Sequence, residues 1–236
     1  MKTGAVKPLW LQGMVDFFFP PLCLGCGEYT ENEGSICDLC LTAIETFDRP
    51  FCLSCMDIIP SGHECAACKS DSIPLFAYGS YTPPLEDIII QYKFKGIKTP
   101  AAFIARQFHQ EFQQAVEAID SKVFVPIPLH PARENRRGYN QATLFANELA
   151  RQFEFEVDTG ILSRTKKRKE QARLNHRDRV INIRGVFEVN GDTAVDGSVI
   201  LVDDVVTSGS TVREAVRVLK ESEIEVAAVF AMAHAM

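Results

Sequence analysis

The residues most able to do chemistry lie in one short stretch, VILVDDVVTSGST, where Asp203 and Asp204 follow an apolar run and precede Thr207, Ser208, Gly209, Ser210 and Thr211. Adjacent carboxylates repel each other. At the end of an apolar strand they also lose hydration, so something cationic or hydrogen-bonding must meet them. Carboxylates accept hydrogen bonds from vicinal hydroxyls and reach magnesium readily. The hydroxyl- and glycine-rich run after them leads into a helical pattern, and free amides at a helix N-terminus favour an anion, a phosphate above all. A simple cap needs only one such polar residue. A ligand with a phosphate at one end and a diol near it satisfies both halves, and a sugar phosphate fits.

A second polar cluster follows the apolar stretch VFVPIPL. It holds His130, Arg133, Arg136, Arg137 and Gly138. Guanidinium groups fork onto phosphate oxygens, so this loop suits a pyrophosphate. His130 receives no role. Asn140 and Gln141 most simply cap the helix that follows, and are also candidates for touching ligand or loop.

All eight cysteines fall in CxxC pairs near the N-terminus: Cys23 and Cys26, Cys37 and Cys40, Cys52 and Cys55, Cys65 and Cys68. A disulfide framework seldom uses this spacing alone. Two knuckles give one tetrahedral four-thiolate site, so the chain predicts two structural zinc sites, paired in sequence order; a crossed pairing also fits the spacing. Redox-active CxxC is the competing reading, but four copies outside a thioredoxin-like βαβ setting do not suit it. So small a segment has little core, and metal binding would supply much of its folding energy.

Residues 164–184 hold nine Lys/Arg, among them Lys166, Lys167, Arg168, Lys169 and Arg173, against two acids. That is +7 in a chain of net charge -6, leaving -13 to the rest. Such segregation suits an anionic partner, and a backbone-tracking contact to single-stranded nucleic acid is one form of it. The segment has no aromatic residue for base stacking. A solvated loop is the plainer reading.

The elements that must position these residues are legible in outline. The 236 residues are 46% hydrophobic and 24% charged, which suits one medium globular domain and a small one. The acidic total excludes a general polyanion binder, and no apolar run is long enough to cross a bilayer. Trp10, Phe17, Phe18 and Phe19 are interrupted by Asp16 and end at Pro20-Pro21, which reads as a docked helix over 1–22 and not as a signal peptide. A cytoplasmic protein is expected. The organisation expected is that helix, a cysteine module over 23–70 and an α/β domain over 75–236. Strands are predicted at 76–81, 123–129, 157–162, 185–189, 198–202 and 225–231, with helices at 85–95, 101–119, 140–153 and 211–221. Strands alternating with helices argue for a parallel sheet, and ligands bind such sheets beyond the carboxyl ends of the strands.

VILVDDVVTSGST resembles the phosphoribosyl pyrophosphate (PRPP) motif of type I phosphoribosyltransferases, with Ser208 where that family more often has Thr. PIPLHPARENRRGYNQA and YKFKG, with the N-terminal Cys pairs, are similar to the ComF family, a branch of that fold with a double zinc ribbon. The resemblance implies that Asp203 and Asp204 meet the ribose hydroxyls and that residues 207–211 cradle the 5′-phosphate. It places the pyrophosphate loop at Arg133, Arg136, Arg137 and Gly138, and a flexible loop over the active site at 164–184. Two functions follow as expectations. One is a PRPP-binding protein of DNA uptake in natural transformation, with single-stranded DNA and the uptake machinery as partners. The other is an active magnesium-dependent phosphoribosyltransferase of nucleotide or nucleoside metabolism. A PRPP-fold regulator without nucleic acid is a blander third. No residue singles out a nucleophile, so no catalytic residue is assigned.

Overall fold

The apolar run Val199, Ile200, Leu201 and Val202 shows no polar alternation and is wholly buried, the signature of a strand covered on both faces. In the computed structural model, which describes residues 20–31, 36–94, 96–165, 184–190 and 197–235, this strand is β7 (Ser198–Val206), in the interior of a six-stranded sheet. The sheet order is β1-β2-β8-β7-β3-β4, with β1 Phe51–Cys52, β2 Pro74–Ser80, β3 Val123–Pro126, β4 Glu156–Val157 and β8 Glu225–His234. All neighbours run parallel except β1, which is antiparallel to β2. β5 (Leu162–Arg164) and β6 (Phe187–Val189) form a separate antiparallel pair.

Helices cover both faces. Ile200 and Val202 pack into a cluster with α2 (Leu85–Phe94), α3 (Thr99–Glu117) and α5 (Gln141–Phe153). Val199 and Leu201 pack the other way, with α6 (Ser210–Glu221) and residues of β5 and β6. Phe230 of β8 lies at the heart of the first cluster, its ring 4.8 Å from Phe108, 5.5 Å from Phe76 and 5.6 Å from Phe124.

The cysteine segment is built onto this sheet. Beyond the β1–β2 pairing, the Leu53 amide donates to the Ile73 carbonyl at 2.9 Å, Phe47 to Tyr78 at 3.1 Å and Ser80 to Glu45 at 2.8 Å. The segment therefore runs along the free edge of β2. Gly79 permits the approach, since a Cβ there would lie 2.6 Å from the Glu45 carbonyl oxygen. The short helix α1 (Asp38–Ala43) adds Cys40 to the first core cluster.

Four local expectations change. β7 does not end at Val202: β8 pairs with it as far as Val206 opposite His234, so both aspartates lie inside the strand. The expected strand at 157–162 is two strands in different sheets, separated by a turn in which the Asp158 carboxylate accepts the Gly160 amide at 2.6 Å. β3 stops at Pro126. The arginine loop is a helix, α4 (Pro131–Arg137), with Pro131 at its start, His130 Nδ1 accepting the Ala132 amide at 3.2 Å and Gly138 closing it at φ 79°. The N-terminal helix expected over 1–22 falls almost wholly outside the described residues. No helix among the described residues is long and apolar enough to cross a membrane.

Phe230→Ala removes the ring that Phe76, Phe108, Phe124 and Phe153 share and is expected to cost about 3–5 kcal/mol of unfolding free energy, read by urea titration of the zinc-loaded protein.

Candidate functional site

The two carboxylates leave β7 in opposite directions. Side chains alternate along a strand, and the packing of Val199 to Val202 fixes the phase: Asp203 follows the α6 face and Asp204 the α2 face. Asp204 has an ion pair, and Asp203 lies in the field of Lys93 and Arg164. Lys93, in the last turn of α2, pairs with Asp204 at 3.1 Å, and its ammonium also stands 5.8 Å from the centre of the Tyr81 ring. Arg164, the last residue of β5, lies in the field of Asp203 and of Arg133. Its guanidinium stacks 5.4 Å from the Phe187 ring, and burial first, then Arg133, pulls its pKa down.

Burial, then the neighbouring negative Asp204, pushes the Asp203 carboxyl up to about 7. The Asp204 amide, which donates to Asp203 at 2.8 Å, together with Lys93 and Arg164, pulls the other way without winning. A half-buried carboxyl poised in this way gains from any hydroxyl that donates to its ionised form.

The loop after β7 carries Thr207 and Ser208 exposed and Gly209 buried. Gly209 starts α6 at φ 68°, and α6 has no side-chain cap. The first amides of α6 are thus left to other acceptors. Ser208 and Ser210 place their hydroxyls 3.0 Å apart beside them.

α4 divides its arginines. Arg133 and Arg136 are exposed. Arg137 turns inward, its guanidinium 4.8 Å from the Phe94 ring centre and donating to Gln141 Oε1 at 2.8 Å. Asn140 caps α5 through the Ala142 amide and donates to the Ile127 carbonyl at 3.0 Å. Tyr92 donates to the Gln141 carbonyl at 2.7 Å, and Tyr139 donates back to the Tyr92 carbonyl, so the YKF and RRGYNQ stretches interlock. Burial, then Asp204, raises the Tyr92 pKa and keeps it a donor. Lys93 and Arg164 were not assigned to the aspartates from sequence. Lys93 lies in a quoted motif and Arg164 opens the basic segment, but only the fold brings them to β7. Lys166, Lys167, Arg168, Lys169 and Arg173 lie outside the described residues.

The eight cysteines gather in sequence order into two clusters, Cys23, Cys26, Cys37, Cys40 and Cys52, Cys55, Cys65, Cys68, with the sulfurs of each within 4.8 Å of one another. Cys26 and Cys37 are 3.7 Å apart, as are Cys55 and Cys65; four sulfurs about 2.3 Å from a tetrahedral zinc are spaced about 3.8 Å. The thiols cannot all ionise unaided. Burial opposes ionisation of Cys23, but the Cys37, Cys26 and Gly25 amides hold it at about 6. Burial, then the other three sulfurs, drives Cys40 strongly upward. At Cys55 the Asp57 amide pulls down, yet burial and the neighbouring thiols push it up to about 12. A divalent cation removes that conflict. Both clusters fit a structural zinc.

Comparison with known proteins agrees. Residues 14–69 match the double zinc ribbon domain and residues 140–235 the phosphoribosyl transferase domain. The chain is 28% identical to competence protein F of Haemophilus influenzae over 228 residues, covering 92% of this chain and 99% of that protein. It is 31% identical to DNA utilization protein YhgH of Escherichia coli K12 over 209 residues, covering 84% of this chain and 87% of the relative. This chain belongs to the ComF family. Competence protein ComFC of Bacillus subtilis is 29% identical over 145 residues, 60% of this chain and 56% of that protein. Within this ComF protein, the phosphoribosyl transferase match includes the carboxylate pair and the Gly209 loop, and the zinc ribbon match includes both cysteine clusters.

The raised Asp203 carboxyl makes stability pH-dependent. The fold favours its neutral form, so this contribution is full below the unfolded value near about pH 4 and is lost as pH rises through about 7. Asp203→Asn keeps the neutral form at every pH. Urea unfolding from pH 5 to 8 is expected to show the variant gaining on the wild type as pH rises, with the largest difference at pH 8.

Proposed function

We propose that this ComF protein binds phosphoribosyl pyrophosphate with magnesium at the carboxyl end of β7 and acts in the cytoplasm on single-stranded DNA during its uptake. The observation that carries the PRPP reading is the order of groups along β7 and its loop: two carboxylates directed to opposite faces, then exposed hydroxyls, then an uncapped helix start at Gly209. A ribose edge would meet Asp203 and Asp204, and residues 207–211 would surround the 5′-phosphate. Magnesium would shield the pyrophosphate's charge. Arg164, in the field of Asp203, and Arg133 beside Arg164 are the cations that would meet that group.

The nucleic-acid half is supported by the relatives named competence protein and DNA utilization protein, and by a surface feature. Phe94 is 62% exposed although aromatic, Arg137 stacks beside it, and the same short helix presents Arg133 and Arg136 to solvent. Exposed rings between cations suit base stacking on a single strand. The active-transferase reading uses the same PRPP site: an acceptor attacks the anomeric carbon, the bond to the pyrophosphate oxygen breaks, and the departing pyrophosphate carries the electron pair to the Arg133 side.

Calorimetric titration of the zinc-loaded protein with magnesium and PRPP is expected to show one site per chain, lost in Asp203→Asn/Asp204→Asn; a wild type that binds nothing overturns the reading. Fluorescence anisotropy with a labelled oligo-dT is expected to show salt-dependent binding, weakened about 5- to 100-fold by Phe94→Ala if one base stacks there. Neutralising Lys166, Lys167, Arg168 and Lys169 should flatten the salt slope. Consumption of PRPP on addition of an acceptor would establish the transferase reading.

A further inference from the structure

The loop that would hold the phosphate lacks a cap of its own, so its shape must be fixed from elsewhere. Arg213, one turn into α6, supplies the link. Its Nη2 donates to the carbonyl of Ser208 within the loop, and its Nη1 donates at 2.7 Å to the carbonyl of Leu53. Leu53 lies between Cys52 and Cys55, inside a knuckle of the second cysteine cluster. One guanidinium therefore joins the knuckle to the loop across 160 residues of chain.

A second contact follows the same route. Met56 closes that knuckle with its amide on the Cys52 carbonyl at 2.7 Å and takes φ 64°, unusual for a residue with a side chain. Its methyl lies against Gly209. A Cβ at 209 would collide with Met56 Cε and stand 2.9 Å from Arg213 Nη1. Gly209 is required by its φ of 68°, and a side chain there would also displace the ends of Met56 and Arg213.

The knuckle itself has an anchorage the loop lacks. Cys52 belongs to β1, Leu53 is hydrogen-bonded to Ile73, and Ser54 Oγ donates to the Asp71 carbonyl at 2.7 Å. Around the sulfurs the apolar support is small, since Cys52, Ile59 and Cys65 form a buried cluster of their own with Cys68 packed against it, whereas Phe51 and Leu53 reach the α6-face core. The Leu53 side chain anchors one end of the knuckle in the α6-face core, and the four thiolates with their metal would fix the turn beyond it, which orients the Leu53 carbonyl and carries Met56. The first cluster packs elsewhere, Cys40 against Gly25 with Pro84 close by.

We propose that Arg213 is a positioning residue, a clasp through which metal at the second cysteine cluster sets the shape of the phosphate loop. The inference rests on the PRPP reading for its ligand but not for its mechanics. Coupling of this kind is reciprocal: metal at Cys52, Cys55, Cys65 and Cys68 favours the anion, and the anion slows metal release. The first cluster carries no such coupling. Arg213 borders an open groove of about 480 Å³ shared with Leu53, Ser54 and Cys68, so removing its side chain leaves the buried core intact.

The test reads the loop directly. Hydrogen exchange of the ligand-free, zinc-loaded protein is expected to show the amide of residue 213, which donates to the Gly209 carbonyl at 2.8 Å, exchanging about tenfold faster in Arg213→Ala and in Cys55→Ser, and unchanged in Cys26→Ser. Arg213→Lys should restore little, since an ammonium cannot span two carbonyls as the fork does. In calorimetry, Arg213→Ala should weaken ribose 5-phosphate about tenfold or more while leaving magnesium pyrophosphate, held at the Arg133 side, unaffected. A general loss of structure would weaken both. Unchanged exchange in Arg213→Ala, or equal acceleration in Cys26→Ser and Cys55→Ser, overturns the clasp. If the wild type binds neither ribose 5-phosphate nor PRPP, the ligand reading fails, and the exchange data still decide the clasp.

Discussion

Consecutive side chains on a β-strand point to opposite faces, and the site depends on that alternation being carried two residues past the apolar core of β7. Had the strand ended at Val202, Asp203 and Asp204 would have stood in a loop, free to turn from each other into water. Instead β8 continues beside them to His234 and holds them in register. Asp204 enters the α2 layer, where Lys93 meets it, and Asp203 enters the α6 layer, within the field of Arg164. Two like charges are tolerated on neighbouring residues because Lys93 and Arg164 offset part of their repulsion. Their repulsion persists in the raised Asp203 carboxyl, and a ligand donating hydroxyls to both would relieve it.

The cysteine segment looks, from its composition, like an appendage to an enzyme fold. Its hydrogen bonds say otherwise. It contributes a strand to the sheet, runs along β2 and sends two contacts from one knuckle to the start of α6. The ring and cation pairs on the other side, the Lys93 ammonium on Tyr81 and the Arg137 guanidinium on Phe94, link α2 to the end of β2 and to α4 in a similar way. Most of what shapes the carboxyl end of β7 therefore comes from parts of the chain remote in sequence.

That remoteness marks the limit of what the sequence showed. Asp203, Asp204 and Gly209 could be found because two acids after an apolar run and a glycine among hydroxyls are locally unusual. The cysteine clusters follow sequence order because a CxxC knuckle is a local unit. Lys93, Arg164 and Arg213 could not be assigned their partners, since topology alone brings them within reach. α4 was missed because a seven-residue helix of polar residues has no apolar periodicity, and the true end of β7 because polar side chains read as a strand terminus when the partner strand is not yet known. The interlock of Tyr92, Tyr139 and Gln141 explains why YKF and RRGYNQ occur together: each satisfies backbone or side-chain groups of the other.

The path of the cysteine segment along β2 has a bearing on solubility. β2 is seven residues long and buried throughout, PLFAYGS, and its outer edge is occupied by residues 45–47 and 51–53. A sheet edge of that length and apolarity, once uncovered, is a template for pairing with another chain. The metal that orders the covering segment would then also act as a guard against self-association. Depletion of zinc would convert the rim of a well-packed sheet into an adhesive strand before the rest of the domain had begun to unfold.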